Sequence, residues 1–139
     1  MNPIRINTKI HRTKYFIPLT IAAIWNIFFG SLGFFNIQLS NSLFLNAAMP
    51  QSEIIVYKIM WLVVIMVGIG YGIVSFLIHR FRFFITFGAI AKTAVFMFVS
   101  YSWLNATVTN LGAIVAIGDL FWVIYFIYFL LETKEHGFF

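Results

Sequence analysis

Four stretches, at about 15–35, 53–78, 83–104 and 111–131, are each long and apolar enough to cross a bilayer, and this constrains the chain more than any other feature. A crossing segment must satisfy its own backbone N–H and C=O groups because hydrocarbon offers no partner, so each stretch is read as a helix. A soluble domain of this size is about 45–50% apolar and about 25% charged. This chain of 139 residues is 62% hydrophobic and 9% charged, so little is left over for a water-facing domain. The expected fold is all-α: one antiparallel four-helix transmembrane bundle over residues 15–131, a basic leader over 1–14 and a short tail over 132–139. The first stretch exceeds the 7–15 residues of a signal-peptide core and lacks a small-x-small cleavage site close behind it. It is therefore read as a retained span, with Pro18 in its first turn, where the missing N–H costs little.

Orientation follows from the basic residues. Arg5, Lys9, Arg12 and Lys14 crowd the leader, Arg80 and Arg82 share the connection between the second and third spans, and Lys134 lies in the tail. The two opposite connections carry no Lys or Arg. By the positive-inside rule both termini are cytoplasmic, and a bacterial inner membrane is the expected location. The net charge of +5 is thus a topology signal and not a nucleic-acid footprint. The uncharged first connection, 36–52, contains Leu43, Phe44 and Leu45 and is read as holding a short interfacial helix. The tight links between spans two and three and between spans three and four make each pair antiparallel neighbours. Glu53 and Lys58 read as interfacial anchors at the outer surface, and Tyr15 and Trp103 as belt aromatics.

In lipid, helices associate through small residues that let backbones approach and through polar groups that need partners. On the first span Ala22, Ala23, Asn26, Gly30 and Gly33 recur at helical spacing, opposite Ile24, Ile27 and Phe28. Tyr57, Trp61, Gly68, Gly72 and Ser75 do so on the second, Gly88, Lys92 and Phe96 on the third, and Gly112, Ala116 and Asp119 on the fourth. Gly30, Gly33, Gly68, Gly72, Gly88 and Gly112 are the expected packing positions, with Gly68 and Gly72 either an intramolecular contact or a dimer seam. Trp25 and Trp122 fall near mid-membrane and are either lipid-facing bulk or, with Tyr71 and Phe96, the lining of a lipid-sized pocket.

Lys92 and Asp119 stand apart from everything else in the spans. Each costs about 2.5–3.5 kcal/mol at the centre of a membrane helix, so two of opposite sign at similar depth on adjacent spans are expected to meet. Asn26 lies at the same level and completes an expected buried polar centre. That centre is either a salt bridge fixing helix register or an ion, proton or ligand site. His11, His79 and His136 share one side of the membrane but none of the spacings of a metal site, so no metal is expected. No histidine lies in a span for haem ligation, and no cofactor is expected. Phosphate loops, nucleophile elbows and HExxH motifs are missing from the chain, so an enzyme is not expected.

The run Gly118-Asp119-Leu120-Phe121-Trp122-Val123-Ile124-Tyr125-Phe126, preceded by Gly88-Ala89-Ile90-Ala91-Lys92, resembles the last two helices of small four-helix DoxX-like membrane proteins. The resemblance implies a four-helix bundle and an accessory role beside membrane-bound oxidoreductases that handle thiols or quinones. It implies no catalytic residues, and a chain without cysteine has no thiol of its own to offer. The expected function is a binding or accessory subunit of a membrane complex, its partners being the bilayer and another subunit or a second copy. Ion, proton or small-molecule transport by an oligomer, and lipid binding or modification, are the alternatives.

Overall fold

A computed structural model describes residues 8–77 and 82–134, with side chains from Lys14 onward. His79, Arg80 and His136 lie outside the described residues, as do the side chains of Lys9, His11 and Arg12, so the histidine and leader readings are not placed. Five α-helices follow in order: α1 (Thr8–Phe35), α2 (Ile37–Phe44), α3 (Ile54–Phe76), α4 (Arg82–Leu104) and α5 (Asn110–Glu132). Four of them are long and apolar enough to span a membrane, over Lys14–Phe35, Gln51–Phe76, Arg82–Leu104 and Asn110–Glu132. The protein is a small polytopic membrane protein.

One expectation about the first span changes. α1 is already helical from Thr8, ahead of the candidate span that begins at Lys14. Pro18 therefore sits inside the helix and not in its first turn. Its missing N–H leaves the Lys14 carbonyl without its usual donor, at the level where the span begins and interfacial water can reach it.

In the first connection, α2 is the short helix expected there, capped by the Asn36 side chain, which accepts from the Leu39 N–H. Its Ser40 and Phe44 turn inward while Leu39 is exposed. The connection then meets the one before α5. Leu45 and Val108 form an isolated antiparallel bridge, the Asn46 side-chain amide donates to the carbonyls of Ala106 and Val108, and the Thr109 hydroxyl donates to the Leu43 carbonyl. Ala106 takes a left-handed φ of 57° to make that turn. Gly112 leaves room for the Phe44 backbone, 3.1 Å from where a Cβ would stand.

The four spans form two intimate pairs, α1 with α3 and α4 with α5. The tight link between the second and third spans had made α3 and α4 look like close neighbours, but they meet only lightly. The cause is steric: the Phe84 ring of α4 enters the notch at Gly70, and the Tyr71 ring of α3 enters the notch at Gly88, so rings stand between the backbones. Within the α1–α3 pair the reverse holds. A Cβ on Gly68 would lie 3.0 Å from the Ala23 carbonyl oxygen, and one on Gly30 would lie 3.0 Å from the Ile65 nitrogen. Gly33 is covered by the Trp61 indole and Gly72 faces the Ala23 methyl. Gly68 and Gly72 are thus occupied by α1, and the dimer-seam reading of that pair is corrected.

The best-packed part of the core lies toward the end that carries Lys14 and Glu132, where Tyr15, Leu19, Tyr71, Val74, Ile85, Trp122, Phe126 and Phe129 pack together. Around it Ile24, Phe28, Met66, Ile90, Phe98, Ile117 and Ile124 face outward, the surface a bilayer would cover.

Candidate functional site: a buried ionic centre

Lys92 projects from the middle of α4, about 15 Å along the helix from Arg82. Its amine donates to the Asn26 side-chain oxygen of α1 at 3.0 Å and to the Asp119 carboxylate of α5. Asn26 and Lys92 are buried, and the Asp119 side chain is 15% exposed. The fourth helix contributes by absence: a Cβ on Gly68 would stand 3.0 Å from that of Asn26, so the glycine gives the asparagine its place. All three polar residues expected at the centre are brought together there.

The chemistry of this arrangement is cohesive first. An ammonium and a carboxylate in low dielectric attract strongly, and the amide supplies a second acceptor to an amine that has three donors. The contact joins α4 to α5 within a pair, and through Asn26 it ties that pair to α1. Removing one partner would leave a buried, uncompensated charge.

The four residues expected to line one pocket are not brought together. Tyr71 and Trp122 are buried in the core, each against Phe126, with ring centroids 4.9 and 6.4 Å apart. Trp122 is therefore neither bulk in the lipid nor pocket lining. The Trp25 ring covers Gly118, 2.7 Å from where a Cβ would be, and so locks α1 onto α5. Phe96 lines an open apolar groove between α4 and α5, shared with Ser100, Trp103, Ala113 and Ile117.

Sequence reasoning missed two polar contacts at the Lys14–Glu132 end. Arg82, counted only as a topology charge, is buried, and its guanidinium donates to the Leu130 carbonyl at 2.7 Å and the Lys134 carbonyl at 3.3 Å. It thereby satisfies carbonyls that the end of α5 leaves open, where the helix dipole also favours a cation. The signal available was an arginine opening one span of an expected antiparallel pair, which puts it beside the last turn of the next. The second contact is the ion pair of Lys14 with Glu132, which closes α1 onto α5, with the Lys14 amine also 5.4 Å from the Tyr128 ring centroid. Glu53 and Lys58 are both exposed near the start of α3. Among the described residues no cluster of metal-ligating side chains occurs.

Comparison with protein-family models, curated proteins and solved structures gives no match for this chain. What the sequence and the fold define together is the class, a small multi-pass membrane protein built around an intramembrane ion pair.

Proposed function

We propose that this protein is an accessory or binding subunit of a complex in a bacterial cytoplasmic membrane, and that its ionic centre holds two helix pairs in one register. The observation that carries this reading is the double engagement of Lys92, whose amine donates to both Asn26 and Asp119 within a packed interior. A charge committed to two partners serves cohesion, and the outward faces are left to meet lipid or another subunit. The resemblance to DoxX-like proteins supports the accessory role.

The proposed topology is antiparallel with both termini cytoplasmic. Gly33 lies against Trp61 and Gly72 against Ala23, as they would on helices of opposite direction, and Lys14 with Glu132 brings the first and last spans together at one end. Reporter fusions at Lys134 and within 46–50 test the sidedness: the first is expected to report cytoplasm and the second the opposite face.

Gentle extraction followed by identification of copurifying polypeptides tests the accessory role. A stoichiometric partner retained by Lys92→Met/Asp119→Leu supports it. Transport of an ion or small molecule by an oligomer is the competing reading, and uptake by the protein alone in vesicles, abolished in that neutral double variant, would replace the accessory one.

A further inference from the structure

A hollow on the lipid-facing surface of a membrane protein does not stay empty. Side chains that face a void lose their dispersion contacts, and what fills a hollow at membrane depth comes from the bilayer or from another span. The groove between α4 and α5 is such a hollow. Phe96, Ser100 and Trp103 line it from α4 and Asn110, Ala113 and Ile117 from α5, at the three- and four-residue steps that put each set on one helix face. Its volume is about 480 Å³, within the range of small-ligand sites. Ser100 and Ala113 make the space, being small where Phe96, Trp103 and Ile117 around them are large.

The walls are pinned. At the end nearest the 105–109 connection, the Trp103 indole donates to the Asn110 side-chain oxygen at 2.9 Å and fixes the spacing of the two helices. The first turn of α5 is also held by α2, where Gly112 lies against the Phe44 backbone and the Thr109 hydroxyl donates to the Leu43 carbonyl.

Depth selects what fills the groove. Trp103 and Asn110 stand at the end of one candidate span and the start of the next, at the membrane boundary. Asn110 to Ile117 covers about 10 Å of α5, against about 15 Å for the hydrocarbon of one leaflet. A spanning helix crosses about 30 Å of hydrocarbon, so the groove would meet it over only a third of its length. An acyl chain starts at the boundary and ends within its leaflet, as the groove does. Asn110 supplies a matching polar contact. Its oxygen is taken by Trp103, while its amide nitrogen, on an exposed residue, donates to no described residue. The ester carbonyl at the head of an acyl chain is an acceptor at that level and has no donor of its own.

We propose that the groove retains one acyl chain of a phospholipid from the leaflet beside the 105–109 connection, with the Asn110 amide donating to the ester carbonyl of that chain. This goes beyond the accessory role and concerns a different face of the molecule from the ionic centre, so it stands whether or not a partner polypeptide is found.

The test places the full chain in phosphatidylcholine vesicles that contain a small share of a phosphatidylcholine with a photoreactive diazirine in one acyl chain, and maps the labelled residues by mass spectrometry. Labelling is expected to be about tenfold denser on Phe96, Ser100, Ala113 and Ile117 than on Met66 and Ile90, which are 63% and 64% exposed on other outward faces. Asn110→Asp keeps an acceptor for Trp103 and removes the donor, and is expected to lower that labelling about fivefold, the worth of one hydrogen bond. Ala113→Phe fills the groove from its own wall and is expected to abolish the excess. Circular dichroism checks that each variant is folded, and the parent's labelling pattern needs no variant at all. The chain has no cysteine, so Ala113→Cys reports a second copy seated in the groove by forming a disulfide-linked dimer. The proposal is overturned by labelling as dense on Met66 and Ile90 as in the groove, by labelling indifferent to Asn110→Asp or Ala113→Phe in folded protein, or by that dimer.

Discussion

The two helix pairs are joined by opposite means. In α1–α3 glycine brings backbone against backbone, with Gly30 and Gly68 each meeting main-chain atoms of the other helix. In α4–α5 polar side chains form rungs at three levels: Trp103 donates to Asn110 near one end at 2.9 Å, Lys92 meets Asp119 in the middle, and Arg82 reaches the Leu130 carbonyl at the other end. Lipid tails are as apolar as leucine, so neither pair is assembled by hydrophobicity, and close packing and interhelical hydrogen bonds are the means that remain. This protein uses each of them for one pair. Between the pairs it uses a third device, aromatic rings seated in glycine notches at Gly70, Gly88 and Gly118.

The largest expected effect tests the polar pair. Lys92→Met should cost about 3–5 kcal/mol in reversible unfolding by an ionic detergent, because it strands Asp119. Lys92→Met/Asp119→Leu should recover most of that loss. A double variant as damaged as the single one would mean that the pair contributes directed attraction beyond mutual neutralisation.

The glycine pair comes next. Gly30→Leu should cost about 1–3 kcal/mol by overpacking, since Ile65 and Trp61 main-chain atoms cannot move aside independently. Gly72→Ala is the sharpening control: its new methyl would find the Ala23 Cβ at an ordinary 3.8 Å, so the same assay should show no loss. Equal damage from both would show that crowding is not what distinguishes the positions.

Smaller still is the outermost rung. Asn110→Ala should cost about 0.6 kcal/mol, the usual worth of an interhelical hydrogen bond in a membrane protein. If it proves more damaging than Gly30→Leu, the contrast between the pairs is misdrawn. The smallest effect belongs to Lys14→Gln at the solvated end of α1, where the Glu132 pair is open to water and ions. Its unfolding should differ little from the parent's, and any difference should shrink as salt is raised.

Much of the α1 face was legible because a glycine or alanine every three or four residues has little purpose in a lipid-facing stripe, and Ala22, Ala23, Asn26, Gly30 and Gly33 are all buried. The meeting of Lys92 with Asp119 was legible for a related reason, the cost of leaving either alone in hydrocarbon. The light contact between α3 and α4 was not legible, because a short link fixes which ends are close and says nothing of what stands between the helices. Trp122 was equally opaque. A tryptophan at mid-depth is compatible with lipid or core, and only the position of Phe126 settles which.

By itself the sequence determined that the chain enters a membrane as four helices and that its two intramembrane charges need each other, because hydrocarbon tolerates neither an unsatisfied backbone nor a lone ion. Only the tertiary structure decided which helices pair, that Arg82 closes the end of α5, and that the connections around Leu45 and Val108 clasp. Those outcomes depend on the shapes that meet across an interface, and a helix taken alone carries no record of the surface it will face.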